Sequence, residues 1–218
     1  MLKKLRSRLS RYLIFVREKG LKQTIREFMT LDRVIVPTVF KLSELKEPVK
    51  DGDNDDSVQF VHVPNEQELA GKFTYEVNAR KIIAREYFSK GYSCFIVVID
   101  GAIVGDLWYS TNAHAPRRLA HPDVKLLDLP LTDEDVYMFD MHVIKDMRGK
   151  NLAPRLMRYA MSYHREHGKI NAYGYYESDN IPAMWTHRML CYKELPKRRL
   201  IKFSSWKTTR PEKLSATS

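Results

Sequence analysis

Residues 142–157 read HVIKDMRGKNLAPRLM, a stretch in which a strand pattern gives way to a helical one. An apolar run ends at Ile144, a basic turn containing Gly149 follows, and helical spacing resumes beyond it. The start of a helix exposes backbone N–H groups without intrahelical partners, together with the positive end of the helix dipole, so an anion can be received there. Arg148 and Lys150 add charge of the same sign. Asn151 is one of the few non-glycine residues that tolerates left-handed backbone geometry, and Pro154 suits a first helical turn. On these residues alone two readings stay open: a strand-to-helix turn with solvated basic side chains, or a cradle for a phosphate.

Working outward, DVYMFDMHVIK (135–145) reads as the strand that enters the turn, and Pro154 to His167 as the helix that leaves it, with Leu156, Met157, Ala160 and Met161 facing inward. Upstream, YSCFIVVID (92–100) and AIVGDLWYS (102–110) are rich in β-formers and meet at Asp100-Gly101, the strongest short hairpin signal. SVQFVHV (57–63) alternates as a strand. Pro64 to Gly91 carries two helices whose buried face is supplied by Leu69, Phe73, Val77, Ile82, Ile83 and Tyr87. Residues 111–134 read as a solvated loop; His114 and His121 lie in it without a carboxylate-cysteine cluster that would favour metal. Downstream, INAYGYYES (170–178) is a strand, IPAMWTHRML (181–190) a short helix, and CYKEL (191–195) with RLIKFSSW (199–206) a closing pair.

The chain has 218 residues, 44% of them hydrophobic, enough for one domain with a sizeable core and a short appendage. Cys94 and Cys191 are too few for a disulfide scaffold and show no metal-ligand spacing, so neither zinc nor another metal is expected. No apolar run approaches the roughly 20 residues that span a bilayer, and the first residues carry no small-residue cleavage site. The expected address is cytoplasmic. The formal charge is +10, from 37 basic and 27 acidic residues. Its distribution is uneven: residues 1–29 hold nine Lys or Arg against Glu18 and Glu27, a balance of +7.

In that basic segment Leu2, Leu5, Leu9, Leu13 and Val16, then Leu21, Ile25 and Phe28, recur at helical spacing. An amphipathic basic helix can lie on an anionic membrane, at the inner face of which the protein would then be peripheral; packing on its own domain or on a homodimer partner is the other reading. A nucleic-acid partner would rest on this arm alone and is not favoured. RVIVPTVF (33–40) reads as a short extended piece broken at Pro37, and KEPVKDGDNDDS (46–57) as an acidic linker. The expected division is a helical appendage at 1–45, a linker at 46–57, the main domain at 58–208 and a tail at 209–218.

Arg148-Gly149-Lys150-Asn151-Leu152-Ala153 resembles the Arg/Gln-x-x-Gly-x-Gly/Ala signature of the GNAT superfamily of N-acyltransferases, in its setting between a strand and a helix. Val104-Gly105 fits the hairpin's second strand in that family, and Asn180, Ala183, His187 and Cys191-Tyr192 fall where the family commonly shows Asn, Ala, Tyr and Gly-Phe. The resemblance covers about residues 57–208. Asn151 and Cys191 stand where glycine is usual, and His187 where tyrosine is.

The resemblance implies an α/β (α+β) fold: a mixed, mostly antiparallel sheet with a central pair of splayed parallel strands, at 135–144 and 170–177, flanked by helices. It implies acetyl-CoA, or another acyl-CoA, as cosubstrate. The pyrophosphate would meet backbone N–H groups of Gly149, Lys150, Asn151, Leu152 and Ala153 with Arg148 nearby, and the pantetheine arm would pair along Met141, His142 and Val143. A bulge in that strand would free an N–H to polarise the thioester carbonyl. Asn180 would contact the pantetheine or cap its helix.

Acyl transfer to an amine requires loss of a proton from the ammonium form. Asp140, Asp135 and His142 are the candidate acceptors. Alternation puts Asp140 and His142 on one face and Asp135 on the other unless a bulge intervenes; Asp140 is favoured, with a structural role as its alternative. His187 is the candidate proton donor to the leaving thiolate, or else an ordinary polar helix residue. Trp108, Tyr109 and the 111–134 loop would shape the site of a small-molecule amine, an amino sugar or envelope precursor if the arm lies on a membrane. The competing class is a non-catalytic GNAT-like module that binds membrane, nucleic acid or protein through residues 1–29.

Overall fold

The computed structural model describes residues 30–46, 57–111, 121–203 and 206–212. The expected amphipathic helix within 1–29, most of the acidic linker and His114 lie outside the described residues. In chain order the elements are β1 (Thr30–Lys41), a 3-10 turn (Leu42–Glu44), β2 (Val58–Val63), α1 (Glu66–Leu69), β3 (Thr74–Tyr75), α2 (Asn78–Ser89), β4 (Ser93–Ile99), β5 (Ala102–Thr111), α3 (Pro122–Leu126), β6 (Asp135–Val143), a second 3-10 turn (Lys145–Met147), α4 (Leu152–Glu166), β7 (Asn171–Glu177), α5 (Ile181–Met189), β8 (Lys193–Glu194), β9 (Arg198–Phe203) and β10 (Trp206–Pro211).

Asp100 and Gly101 both hold positive φ, 50° and 77°. That geometry matches the twist of paired strands, and β4 returns as β5 with Ile99 opposite Ala102. The sheet has ten strands in the order β10-β9-β1-β7-β6-β5-β4-β2, with β3 beside β5 and β8 beside β1. Neighbours run antiparallel except β6 with β7 and the two-residue β3 with β5. The expected mixed, mostly antiparallel sheet with a parallel pair is the observed one.

The sequence reading of residues 33–40 needs correction. They lie within β1, which pairs with β7 from Ile35 to Lys41 on one side and with β9 from Thr30 to Ile35 on the other. This strand therefore belongs to the main sheet and not to an appendage. Pro37 does not break it, for a reason of register. On the outer edge β9 pairs up to Ile35 and β8 pairs from Thr38, so Pro37 falls in the gap between them. Its carbonyl accepts from the Leu195 N–H on that edge at 2.8 Å, so the N–H it lacks would have faced the same gap. The closing pair is corrected too: β8 and β9 each pair with β1, and β9 is flanked by β10, which runs to Pro211 into the expected tail.

Two apolar layers flank the sheet. On one face α4 lays down Leu152, Leu156, Met157, Ala160 and Met161, spaced as one helical stripe, against Phe95, Val97, Leu107, Val136 and Met138. The helix starts at Leu152, before Pro154, so the proline occupies its first turn. On the other face Ala84, Tyr87 and Phe88 of α2 cover Ile96, Ile103, Trp108 and Phe139. Trp108 is fully buried, its ring meeting Tyr87 and Phe88 edge-on at 5.0 and 4.8 Å. Burying side chains of this size contributes about 1.5–3 kcal/mol each. The expected pair of helices between 64 and 91 is present, but α1 is a single turn. Among the described residues no helix is long and apolar enough to cross a membrane.

Candidate active site

The site forms where β6 and β7 part. They pair in parallel at Asp135–Asn171, Val136–Ala172 and Tyr137–Tyr173, and among the described residues the ladder goes no further. β7 continues beside β1 as far as Glu177. From Met138 to Val143 the β7-facing edge of β6 is thus without a strand partner, and its N–H and C=O groups can receive an extended ligand as a strand would. Gly174 lies just past the last rung, where a Cβ would stand 3.1 Å from the Met138 carbonyl. The absent side chain lets the two backbones approach there before they diverge.

β6 also carries a bulge. Asp106 faces His142 and Trp108 faces Phe139, so Leu107 alone opposes Asp140 and Met141. Asp140 absorbs the extra residue by taking φ 47°, which bends the strand and leaves the ladder locally unpaired. The bulge also changes the parity of the strand. Tyr137 and Phe139 belong to the α2-side core, while Val136, Met138 and Val143 belong to the α4 side. His142 therefore shares a face with Asp135, against the simple alternation.

At the end of β6 the chain makes the expected turn. Gly149 holds φ 83° and Asn151 holds φ 58° and ψ 17°, left-handed geometry at the position where glycine is usual. Cys191, the other residue standing in for glycine, takes φ 61°. The backbone of both turns is therefore kept without glycine, at the modest strain non-glycine residues bear there. Asn151 makes no side-chain cap, there is no acidic residue in the first turn of α4, and Pro154 has no N–H to offer. Arg148 Nε donates to the Val143 carbonyl at 3.1 Å, which ties the loop to the strand, and Lys150 is exposed. Leu152 is buried in the core while Ala153 is half-buried, so what this pair can offer a ligand is backbone.

On the α2 face lies a cluster that the sequence reading missed. Arg80, buried on α2, donates from Nη1 to both Asp140 carboxylate oxygens at 3.2 and 3.0 Å and from Nη2 to the Asp140 carbonyl at 3.4 Å. Its Nε donates to Asp106 Oδ2 at 3.3 Å, and Nη2 also donates to Asp106 Oδ1. Asp106 is 1% exposed, and burial pushes its carboxyl pKa up against the pull of Arg80. The Tyr75 hydroxyl lies beside Asp106 without meeting hydrogen-bond geometry. Tyr75, Arg80, Gly105, Asp106, His142 and Ile144 line a narrow crevice, too tight to hold a water molecule with the side chains as they stand. Burial and then the charge of Arg80 hold His142 neutral, with its pKa down to about 4. A lone Asp inside the apolar run AIVGDLWYS was the available signal, since a buried charge must find a partner.

The remaining candidates are placed elsewhere. Asp135 sits at the opposite end of β6, where it accepts from the Thr132 N–H and hydroxyl and from Asn171 Nδ2 at 2.8–2.9 Å; it fastens the start of the parallel pair. Asn180 caps α5 by accepting from the Ala183 N–H at 3.2 Å. His187 is buried, and its Nδ1 donates to the Ala183 carbonyl at 2.8 Å. Burial lowers its pKa, so the ring is neutral and its remaining nitrogen is an acceptor. A proton donor is not what this geometry provides. His121 is not solvated: it caps α3 and packs against Phe139, the ring centroids 4.1 Å apart and tilted.

The sequence profile of the Acetyltransferase (GNAT) family matches residues 58–190. Comparison with curated proteins finds no match. Among solved structures the chain is similar to a Drosophila protein (TM-score 0.51, 11% identity, 87% of this chain and 57% of that one). It is also similar to a tandem GNAT protein from the clavulanic acid biosynthesis pathway (TM-score 0.52, 12% identity, 88% and 59%). A third is the glucosamine N-acetyltransferase region of a fungal multi-domain β-N-acetylglucosaminidase (TM-score 0.55, 13% identity, 86% and 23%). At these identities the likeness is one of fold, and the chain spans under two thirds of the length of each of these structures.

Proposed function

Because the chain belongs to the GNAT acetyltransferase family, we propose that it transfers an acetyl group from acetyl-CoA to the amine of a small molecule. The observation that carries this reading is the continuity of the site: an unpartnered edge of β6 from Met138 to Val143 leads directly into the Arg148–Ala153 turn at the start of α4. A cosubstrate with an extended amide arm and a pyrophosphate has its two kinds of partner in that order. The arm would pair along Met141, His142 and Val143. The pyrophosphate would meet the N–H groups of Gly149 to Ala153, with Arg148 and Lys150 beside them.

In the reaction the amine nitrogen attacks the thioester carbonyl carbon, the C–S bond breaks and the thiolate leaves. Negative charge develops on the carbonyl oxygen, and on this reading an N–H of the Asp140–Met141 bulge stabilises it. The ammonium proton must depart first. We place its acceptor at His142, a neutral imidazole in the crevice beside Arg80, and not at Asp140, whose carboxylate is held by Arg80. As the tetrahedral adduct collapses the attacking nitrogen sheds its second proton, which reaches the leaving thiolate through water, because the neutral His187 has only an acceptor nitrogen left.

Thermal unfolding with acetyl-CoA, longer acyl-CoAs and a panel of amines, amino sugars among them, tests this reading. Saturation at about 100 times Kd is expected to stabilise the native state by about 2.7 kcal/mol; absence of any shift would favour the non-catalytic module. Arg148→Ala is expected to weaken acetyl-CoA binding roughly 10-fold, the loss of one charge-assisted contact.

For the basic segment, residues 1–29, we propose an anionic membrane surface as partner. Full-length protein is expected to float with anionic liposomes at low salt, and to lose this when those residues are deleted or salt is raised. Binding that survives the deletion sinks that assignment.

A further inference from the structure

We propose that Arg80 is a positioning residue of the acyl-transfer site, one that sets the conformation of the β6 bulge. The inference rests on the acetyl-transfer reading above. Its ground is the place at which this one guanidinium grips the sheet. Asp106 and Asp140 bracket the register change between β5 and β6, and Arg80 holds both of them. It takes the carboxylate of Asp140 with one nitrogen and the carbonyl of the same residue with another. Side chain and backbone of the bulged residue are thereby fixed together at φ 47°.

The residue type fits the task. A guanidinium is a planar fork with five donors, and here its Nε, Nη1 and Nη2 all find acceptors. A lysine would keep the charge but could not span two carboxylates and a carbonyl. Without the grip, Asp140 gains by returning to negative φ, and the N–H groups of the bulge turn with it. On the acetyl-transfer reading those N–H groups serve the developing oxyanion, so the loss falls on the transition state. The turn from Arg148 to Ala153 is tied to Val143 by Arg148 itself, so the pyrophosphate end of the cosubstrate is held independently of the Arg80 grip.

The test compares wild type, Arg80→Lys and Arg80→Lys combined with Asp140→Gly. Arg80→Lys is chosen because it leaves Asp106 a buried counter-charge, so the fold survives. It is expected to lower kcat about 100-fold, the scale of a misplaced oxyanion donor, with Kd and KM for acetyl-CoA within about 3-fold of wild type. The amide NMR signals of Asp140, Met141 and His142 are expected to shift while those of Gly149 to Ala153 stay. Glycine adopts positive φ without strain, so adding Asp140→Gly is expected to recover at least about 10-fold in kcat. Unmoved bulge signals in Arg80→Lys, an unchanged kcat, or no recovery with glycine would overturn the proposal. Failure of wild type to bind acetyl-CoA would instead overturn the acetyl-transfer reading, and the two failures are separable because the NMR measurement needs no turnover.

Discussion

Arg80→Met is expected to lower the unfolding free energy by about 3–5 kcal/mol, the cost of removing one partner from a buried ion pair. In a chain of this length that is a fall of roughly 10 °C in Tm. The cause is the carboxylate left behind. Asp106 is 1% exposed, and Arg80 is its charged hydrogen-bond partner from β5 to α2. Asp140 suffers less, because its side chain is 34% exposed and can recruit water. The double replacement Arg80→Met with Asp106→Leu is therefore expected to recover most of the loss, since no buried charge remains. As a contrast, Lys72→Ala breaks an exposed pair with Glu68 and is expected to cost under about 1 kcal/mol. Urea unfolding of the four proteins measures all of this. A loss in Arg80→Met no larger than in Lys72→Ala would show that Asp106 is not held as an ionised partner.

Acid is expected to destabilise the protein from about pH 6.5 downward. Burial lowers the pKa of His164 to about 3 and that of His121 to about 4. His164 is 2% exposed and its Nε2 has no hydrogen-bond partner, so the ring is kept neutral by exclusion of water. In the unfolded chain both rings titrate near 6.5. Below that value the unfolded state binds protons that the native state refuses, so stability is full above about pH 6.5 and falls as pH drops toward the native values. Each ring contributes up to about 1.4 kcal/mol per pH unit within that window, so the two together remove about 3 kcal/mol between pH 6.5 and 5. His62, half-buried and lowered to about 4, acts in the same direction with more solvent screening. Unfolding free energies at pH 7, 6 and 5 test this, with His164→Leu expected to reduce the slope by about one proton. A flat profile from pH 7 to 5 would contradict it.

Both predictions concern residues whose importance local sequence barely signals. The turn after β6 was legible because its conformation is set by residue types acting on their own backbone: Gly149 and Asn151 take left-handed angles, Pro154 starts a helix. The Asp100-Gly101 hairpin was legible for the same reason. The α4 stripe was visible as helical periodicity, and the splayed parallel pair followed from the family resemblance. Arg80 was not legible because an arginine among the apolar positions Val77, Ile83 and Tyr87 reads as solvated by residue type, and the carboxylates that hold it inside lie 26 and 60 residues away. Asp140 was noticed, but alternation along β6 cannot reveal a bulge that depends on a partner strand. Asp135 and His187 have suitable chemistry in the sequence, and only their neighbours show what that chemistry is spent on: Thr132 and Asn171 for the first, the Ala183 carbonyl for the second.

The sequence alone thus set the local geometry of this protein: the hairpin, the left-handed turn before α4 and the periodic faces of its elements, while the acyltransferase scaffold was legible only through the family resemblance. Only the tertiary structure decided where β1 lies and which residues surround the bulge. The partners there are 26 and 60 residues apart for Arg80 with Asp106 and Asp140, and β1 meets β9 across more than half the chain. Turns and periodicities are written in the torsional preferences of adjacent residues. A buried charge cluster is written only in the requirement that distant charges, once removed from water, meet each other.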